Sequence, residues 1–208
     1  MTDPERASSA ASADGLAALI ARAAPDGRKP PVERWNPPDC GDLDMDIDPE
    51  GRWHYLGSPI GREALVRLFA SVLKREGDRY VLVTPVEKVG IRVADAPFQA
   101  VEMHAEGDGA ERRLTVRTNV GDLAEAGDDH RIRFVVDPRT DGLKPYLHVR
   151  AGLEARFTRA LTHDLAALIE PGPDGGLGVW AGGVFHPLPE DAMDDGGATG
   201  DGEAGGTA

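Results

Sequence analysis

Apolar and polar residues alternate along much of this chain with a period of two, which is the pattern of a half-buried β-strand. The alternation is clearest over residues 42–48, where Leu43, Met45 and Ile47 are separated by aspartates. A turn and a second strand over 52–57 would complete a hairpin. The same pattern predicts strands over 79–85, 88–94, 98–105, 112–118, 131–137 and 145–150, and one or two more within 176–188.

Three other segments carry apolar residues at the three-to-four-residue spacing of a helix that buries one face. They cover residues 13–24, 58–77 and 152–169. In the middle segment, Ser58 suits a helix start and Gly77 suits a helix end. Strands that outnumber the helices and follow one another closely indicate an α+β fold with mostly antiparallel sheets.

Two stretches of the chain resemble one another at a constant offset of 91 residues, which indicates an internal duplication. They are residues 51–69 and 142–160, and each runs from a strand through a short loop into a predicted helix. The identical pairs are Gly51/Gly142, Tyr55/Tyr146, Leu56/Leu147, Gly61/Gly152, Glu63/Glu154 and Ala64/Ala155. We therefore expect two small domains, each with one helix packed on its sheet: a first repeat over 36–105 and a second over 112–188.

The two ends of the chain are expected to lie outside this duplicated body. Residues 1–35 are predicted to form an N-terminal helix and an extended connector, since each proline biases the residue before it away from the helical region. Residues 189–208 are rich in Gly, Ala and acids, with Met193 as their single sizeable apolar side chain. This composition predicts a disordered acidic tail.

The net charge of −13 is concentrated in two places. Six acids and no base lie within residues 35–50, and six more acids without a base lie from Glu190 onward. The body between them, residues 51–189, is almost neutral, with 18 bases and 19 acids. This balance argues against a nucleic-acid-binding protein, but it leaves room for a local cationic pocket.

Cysteine usage and hydropathy predict a cytoplasmic protein. The single cysteine cannot form an internal disulfide, which fits a reducing compartment. The first residues, MTDPERASSAASADG, lack the basic and then apolar regions of a signal peptide. No segment approaches the ~20 apolar residues that a membrane span requires.

The sequence contains no nucleophile elbow, no phosphate-binding loop and no dinucleotide fingerprint. Residues 46–57 match the first half of a calcium loop, but the twelfth position is Gly57 instead of a bidentate acid. The six histidines are scattered without metal-ligand spacing. We therefore expect neither a metal nor an organic cofactor.

Cys40 is the one candidate for a redox-sensitive or nucleophilic thiol. The acids around it disfavour the thiolate, the form that reacts. Burial at a loop–strand junction is therefore the main interpretation of Cys40, and redox sensitivity is the alternative.

Basic and polar residues near predicted turns and helix starts form a candidate ligand site. Arg62 and Arg150 precede the two predicted helices of the repeats. A helix start with a few guanidinium groups binds an anion without a strong net charge. The candidate set is Arg62, Glu87, Lys88, Arg117, Asn119 and Arg150. Ordinary turn chemistry and surface ion pairs are the alternative interpretation of these residues.

Five motifs, in order along residues 36–188, resemble the bacterial family called domain of unknown function 1285. They are PPDCGDLDMDI, YLGSPIGREALVRLFASVL, YVLVTPVEKV, RTNVGD and PYLHVRAGLEARF. The resemblance implies a duplicated α+β core whose second half is pleckstrin-homology-like. It also implies a nucleotide-like small molecule bound between the halves and a role in signal transduction, and it implies no catalytic residues.

Three hypotheses follow for the function. The first is a cytoplasmic ligand-binding or sensory protein that holds an anionic, nucleotide-like molecule between its two repeats. The second is an interaction module that presents a strand edge or groove to a signalling partner. The third is an enzyme that uses Cys40 or a histidine, which would need a base within hydrogen-bond reach of the thiol.

Overall fold

The computed structural model describes residues 13–23 and 30–190 of the 208-residue chain. Within these ranges the chain forms three α-helices and fifteen strands in three sheets. The helices are α1 (Ala13–Ala23), α2 (Glu63–Ser71) and α3 (Arg159–Ala166). The strands are β1 (Asp39–Ile47), β2 (Trp53–Tyr55), β3 (Ser58–Pro59), β4 (Leu73–Glu76), β5 (Arg79–Val83), β6 (Lys88–Val93), β7 (Phe98–Glu106), β8 (Arg113–Thr118), β9 (Leu123–Glu125), β10 (Ile132–Val136), β11 (Leu143–Arg150), β12 (Leu153–Phe157), β13 (Glu170–Pro171), β14 (Leu177–Ala181) and β15 (Val184–Pro187).

Parts of the predicted terminal segments lie outside the described residues. They are residues 1–12 and 24–29 on the N-terminal side, and residues 191–208 of the predicted acidic tail. Among the helices that the structure does describe, none is long and apolar enough to cross a membrane.

The first sheet joins six strands in the order β3-β2-β1-β6-β5-β4. The predicted hairpin over residues 42–57 is confirmed, because β1 runs antiparallel to β2 with Met45 opposite Tyr55. Leu43, Met45 and Ile47 are all buried, as their alternation predicts. The parallel pair of this sheet is β1 and β6, so the first and last strands of the six meet at its centre.

The second sheet repeats this arrangement in the order β10-β11-β12-β7-β8-β9. Its first and last strands, β7 and β12, again form a parallel central pair, and its other neighbours are antiparallel. The sequence analysis placed residues 98–105 with the first repeat, whereas the structure pairs them, as β7, in the second sheet. After α3, three short antiparallel strands form a third sheet in the order β13-β14-β15.

The internal duplication is confirmed at the level of architecture. Numbered within each half, both six-stranded sheets have the strand order 3-2-1-6-5-4. The alignment at an offset of 91 residues is wrong, however, because it superimposes β2 on β11 and α2 on β12, which hold different places in the two sheets. Its identities pair residues in different structures: Glu63 and Ala64 lie in α2, whereas Glu154 and Ala155 lie in β12.

The second helix is shorter than predicted and gives way to a strand. α2 ends at Ser71, and Val72 leaves the helical conformation with φ −109° and ψ 6°. Residues 73–76 then pair with β5 as strand β4, with Leu73 opposite Leu82. Leu73 is fully buried in the strand, and its apolar spacing fits the buried face of a helix as well, so the spacing alone did not separate helix from strand.

The segment predicted as a helix over 152–169 contains a strand before its helix. Burial alternates through Leu153, Ala155 and Phe157, so residues 153–157 form β12 instead. Leu153 and Phe157 are four residues apart, a spacing that fits a helix equally well. Thr158 then caps α3 and accepts a hydrogen bond from a backbone N–H of its first turn.

One hydrophobic core runs through both halves. In the first half, the rings of Trp53 and Phe69 stack with centroids 6.2 Å apart. Leu16 and Ile20 of α1 are fully buried and belong to the same cluster, as does Phe98 of the second half. Because the two halves share this core, unfolding one of them exposes apolar surface of the other.

His186 attaches the third sheet to the second. It lies on β15, is 1% exposed, and accepts a hydrogen bond at Nδ1 from the backbone N–H of Ile132 at 3.2 Å. Accepting at Nδ1 requires a neutral ring with its proton on Nε2. Burial is the main reason why the pKa of His186 lies below its ordinary value of 6.5.

We expect this histidine to make stability depend on pH. The unfolded chain binds a proton at this ring near pH 6.5, whereas the folded ring resists it, so stability is full above about pH 6.5 and falls as the pH drops towards the folded pKa. His186→Asn keeps an acceptor oxygen but does not titrate. Urea unfolding between about pH 7.5 and 5.5 should show a flatter pH dependence in the variant than in the wild type, and equal slopes would contradict this role.

Candidate functional site

The structure disperses the residues that the sequence analysis assigned to a ligand site. Arg62 precedes α2 as its N-cap and is exposed. Arg150 lies at the opposite end of the same helix, where it donates a hydrogen bond to the Ala70 carbonyl at 2.7 Å. A helix of nine residues is about 13 Å long. Arg62 and Arg150 therefore do not converge on one concave surface.

Arg150 is occupied by contacts within the protein. Its Nη2 and Nη1 donate to the carbonyls of Ala70 and Leu73 at 2.7 and 3.2 Å, and its Nε donates to an Asp122 carboxylate oxygen at 3.0 Å. The guanidinium also lies 5.4 Å from the ring centroid of Phe98. Carbonyls at the carboxyl end of a helix lack donors from a following turn. Arg150 therefore adds a donor from the other half of the molecule to Ala70, in the last turn of α2, and another to Leu73, the first residue of β4.

Asn119 joins the two halves rather than facing a pocket. Its Nδ2 donates to the Gly51 carbonyl at 3.3 Å, and its Oδ1 accepts from the Gln99 backbone N–H at 3.0 Å. Gly51 has φ +75°, and a Cβ there would lie 2.8 Å from the Gln99 side chain. The turn after β1 therefore needs glycine both for its backbone angle and for this close approach.

Glu87, Lys88 and Arg117 belong to three separate local contacts. The backbone of Glu87 closes a turn with Thr84 through hydrogen bonds of 2.9–3.1 Å. Lys88 pairs with Glu76 at 2.7 Å. Arg117 forms a tight two-point pair with Glu102 on the exposed face of the second sheet.

Cys40 is exposed at the start of β1, so the expected burial at the loop–strand junction is wrong. Its contact is a long hydrogen bond of 3.9 Å to the Pro38 carbonyl. The aspartates of this strand extend into water and pair with arginines, which leaves the thiol at the surface. Its sensitivity to oxidation stays a prediction.

A cavity of about 490 Å³ lies between the β10–β11 hairpin, β12 and the start of α3. Three of its lining side chains are basic, and one of them, Arg156, also bonds to Asp95 and Pro49 of the first half. The residues that line it are Asp137, Thr140, Gly142, Leu143, Lys144, Arg156, Phe157, Arg159 and Thr162.

The sheet geometry explains why two of these bases lie together. Tyr146 of β11 is opposite Arg156 of β12, and Lys144 is two residues from Tyr146 on the same strand. Residues two apart share one face of a sheet, so Lys144 and Arg156 project from the same face. Arg159 follows after one further turn of chain, as the first residue of α3.

The three bases differ in how far the protein neutralises them. Lys144 Nζ lies 2.7 Å from Asp137, and this hydrogen bond is the main reason why the pKa of the Asp137 carboxyl is lowered. Arg156 Nη1 lies 2.7 Å from Asp95. Arg159 is exposed, and no acid within the described ranges pairs with it.

The rest of the lining suits an anion that also carries an apolar group. Leu143 and Phe157 supply apolar surface, and Thr140 and Thr162 supply hydroxyls. Sequence reasoning missed this site because it treated residues 152–169 as one helix, which would have separated Arg156 from the β11 strand. The burial alternation of Leu153, Ala155 and Phe157 was the signal that could have revealed it.

A second cavity of about 390 Å³ lies between the N-terminal connector, the end of α2 and the β11–β12 turn. It is lined by Arg34 and Arg150 among others. This cavity corresponds most nearly to the predicted site between the halves. One of its two arginines, Arg150, is already bound by two carbonyls and a carboxylate.

Two family models match consecutive parts of the chain. The N-terminal domain of DUF1285, a domain of unknown function, matches residues 30–96, and the C-terminal domain of DUF1285 matches residues 97–188. The chain belongs to the DUF1285 family. The boundary between the two matches falls between β6 and β7, where the first sheet ends and the second begins.

Two crystal structures of DUF1285 proteins are similar to this chain. The protein from Silicibacter pomeroyi DSS-3, solved at 2.50 Å, is 53% identical with a TM-score of 0.78, and the match covers 85% of this chain and 96% of that one. The protein from Shewanella baltica OS155, solved at 1.40 Å, is 30% identical with a TM-score of 0.47, covering 60% and 91%. No curated protein matches the chain. The pleckstrin-homology-like character of the second half stays a prediction.

We expect Arg150 to stabilise this DUF1285 protein. Arg150→Ala removes the donors to Asp122, Ala70 and Leu73, and should lower the free energy of unfolding by about 2–4 kcal/mol. Arg113→Ala is a matched control, because Arg113 forms an exposed pair with Glu125 and should cost less than about 1 kcal/mol. If urea denaturation showed the same loss of unfolding free energy in Arg150→Ala and Arg113→Ala, this role of Arg150 would be contradicted.

Proposed function

We propose that this DUF1285 protein is a cytoplasmic sensory protein that binds a small anionic, nucleotide-like molecule in the cavity of Lys144, Arg156 and Arg159. The observation that carries the proposal is the grouping of three bases around about 490 Å³, one of which, Arg159, has no acidic partner within residues 13–23 and 30–190. In this proposal the bound molecule is the signal, and the protein conveys its presence to a signalling partner.

The charges of the lining favour an anion. Lys144 and Arg156 are opposed by Asp137 and Asp95, whereas no acid in the described part of the chain balances the charge of Arg159. The site therefore carries an excess of about one positive charge. Lysine and arginine together provide a point charge and a planar set of donors, both of which suit phosphate oxygens.

The size and the apolar surface favour a nucleotide-like ligand over a bare ion. Small-molecule sites usually measure roughly 300–1,000 Å³, and this cavity lies within that range. Phe157 and Leu143 offer apolar surface to a base or similar ring, while the threonine hydroxyls can bind a sugar. A bare inorganic anion would leave much of this surface unused.

The cavity of Lys144, Arg156 and Arg159 is a better candidate for the ligand site than the set of residues predicted from the sequence. Arg150 and Lys88 are each held by partners within the protein. Arg62 lies at the other end of α2 from Arg150 and does not line the cavity. Releasing Arg150 for a ligand would break its hydrogen bonds to Ala70, Leu73 and Asp122, which is costly for partly buried groups.

An interaction module is the second candidate function. β9 lies at the edge of the second sheet, and its Leu123 is 67% exposed. An extended peptide could add to such an edge through its backbone and cover Leu123. This candidate predicts a protein partner whose binding is lost in Leu123→Asp and unaffected by Arg159→Gln.

The test is a thermal-shift comparison with AMP, ADP, cyclic AMP and inorganic pyrophosphate. A ligand at 100 times its Kd adds about 2.7 kcal/mol, which raises the Tm by roughly 5–10 °C in a protein of this size. Arg159→Gln should weaken binding about 10-fold or more, because a charge-assisted hydrogen bond is lost. Arg62→Gln is the matched control, since Arg62 is also an exposed arginine at a helix start.

The outcomes separate the sites. A shift that is lost in Arg159→Gln and kept in Arg62→Gln supports the cavity. A shift that is lost only in Arg62→Gln would move the ligand to the start of α2. No shift with any of the four compounds would contradict the proposal and favour the interaction module.

A further inference from the structure

A cluster of five residues links the two halves beside the cavity; we call it the junction cluster. It consists of Pro49, Asp95, Gln99, Tyr146 and Arg156. Asp95 accepts from Tyr146 Oη at 2.8 Å and from Arg156 Nη1 at 2.7 Å. The Pro49 carbonyl accepts from Arg156 Nη2 at 2.7 Å and from Gln99 Nε2 at 3.1 Å.

Arg156 belongs both to this cluster and to the lining of the cavity. Its side chain is 22% exposed, so the guanidinium reaches water on the cavity side while it bridges the halves. Asp95 lies in the segment that connects β6 to β7, and Pro49 lies in the turn after β1. A single side chain thus contacts the ligand cavity, the first half and the connection between the halves.

The junction uses both terminal nitrogens of Arg156. A guanidinium binds phosphate most strongly through two parallel N–H groups on one edge, and each such edge includes at least one of these two nitrogens. The Asp95 carboxylate also neutralises the charge that an anionic ligand would need. Full engagement of a phosphate by Arg156 therefore competes with the bonds to Asp95 and Pro49.

We propose that an anion in the cavity and the Arg156–Asp95 link compete for the same guanidinium, so that ligand binding loosens the junction between the two halves. This inference rests on the proposed function, since it describes how the same site is regulated. The competition would also explain how binding is signalled, because the β6–β7 connection is held less firmly in the bound state than in the free state.

The other members of the junction cluster lower the cost of breaking the bonds of Arg156 to Asp95 and Pro49. Asp95 keeps the hydrogen bond from Tyr146 when Arg156 leaves, and burial together with that bond raises the pKa of Tyr146 to about 12, so the phenol remains a donor. The Pro49 carbonyl likewise keeps the hydrogen bond from Gln99. The switch therefore breaks two bonds without leaving either acceptor unpaired.

Coupling between a ligand and an internal contact is reciprocal. If the anion weakens the Arg156–Asp95 link, removing the Asp95 charge must strengthen anion binding. Typical couplings correspond to changes in affinity of about 5–150-fold, and competition for one charged hydrogen bond falls near the lower part of this range. We expect about a 10-fold lower Kd.

The experiment measures the Kd of inorganic pyrophosphate by calorimetry for the full chain, for Asp95→Asn and for Tyr146→Phe. Asp95→Asn should bind about 10-fold more tightly. Tyr146→Phe is the matched control: it removes the other hydrogen bond to Asp95 but increases the demand of this carboxylate for Arg156, so its affinity should be no higher than that of the wild type. If any loosening of the junction favoured the anion, both variants would instead bind pyrophosphate more tightly than the wild type.

A second measurement uses the wild type alone and so does not depend on the folding of Asp95→Asn. The Ala94 N–H donates to the Ile47 carbonyl at 3.0 Å and reports on the connection between the halves. Hydrogen exchange at Ala94 should become several-fold faster when pyrophosphate is bound, and unchanged or slower exchange would overturn the proposal.

The results distinguish this inference from the proposed function. Pyrophosphate binding with equal affinity in the wild type and Asp95→Asn would remove the competition and leave the cavity site intact. If pyrophosphate bound neither the wild type nor Asp95→Asn, both the competition and the cavity site would be contradicted.

Discussion

Arginine side chains that cross from the second half to backbone carbonyls of the first are the interaction on which the arrangement of the two sheets depends. Arg150 binds the carboxyl end of α2, and Arg156 binds the turn after β1. Ala70 lies in the last turn of α2, where the helix supplies few donors of its own, and Pro49 lies in the turn after β1. The guanidinium groups thus add hydrogen bonds at the end of a helix and after a strand, and they fix how the halves meet.

These arginines also explain why the binding chemistry lies where it does. Arg150 is held by two carbonyls and a carboxylate, so it is not available to a ligand in the cavity that it lines with Arg34. Arg156 is shared between the junction and the other cavity, where Lys144 and Arg159 add charge. Because Arg156 serves both the cavity and the contact between the halves, a ligand in the cavity can change that contact. The duplication supplies the geometry, because it places two equivalent sheets around one core.

Much of the fold was predictable from residues whose pattern is purely local. The alternation of Leu43, Met45 and Ile47 indicated β1, and the apolar face of Leu16 and Ile20 indicated α1. The order of strands in the sheets was not predictable, because the parallel pairing of β1 with β6 and of β7 with β12 joins strands that are distant in sequence. The misplaced repeat alignment has the same origin: local identity at turns does not specify sheet position.

The candidate site was predictable only in its chemistry. The sequence indicated that an anion could be bound by arginines near a helix start. The choice of Arg150, however, rested on a predicted helix from residue 152, where the structure has strand β12. Arg156 and Arg159 were concealed by the strand-to-helix change at Thr158, where Leu153 and Phe157 satisfy both periods. Which arginine is free depends on tertiary partners such as Asp95 and Asp122, and no local pattern reveals them.

The most direct test of the central claim is to map where an anion binds by titrating pyrophosphate into the isotopically labelled protein and following backbone amide chemical shifts by NMR. The account predicts saturable shifts concentrated at Lys144, Arg159 and Thr162, with smaller changes at the β6–β7 connection. Shifts concentrated at Arg62 or around Arg150, or no saturable shifts at all, would contradict it.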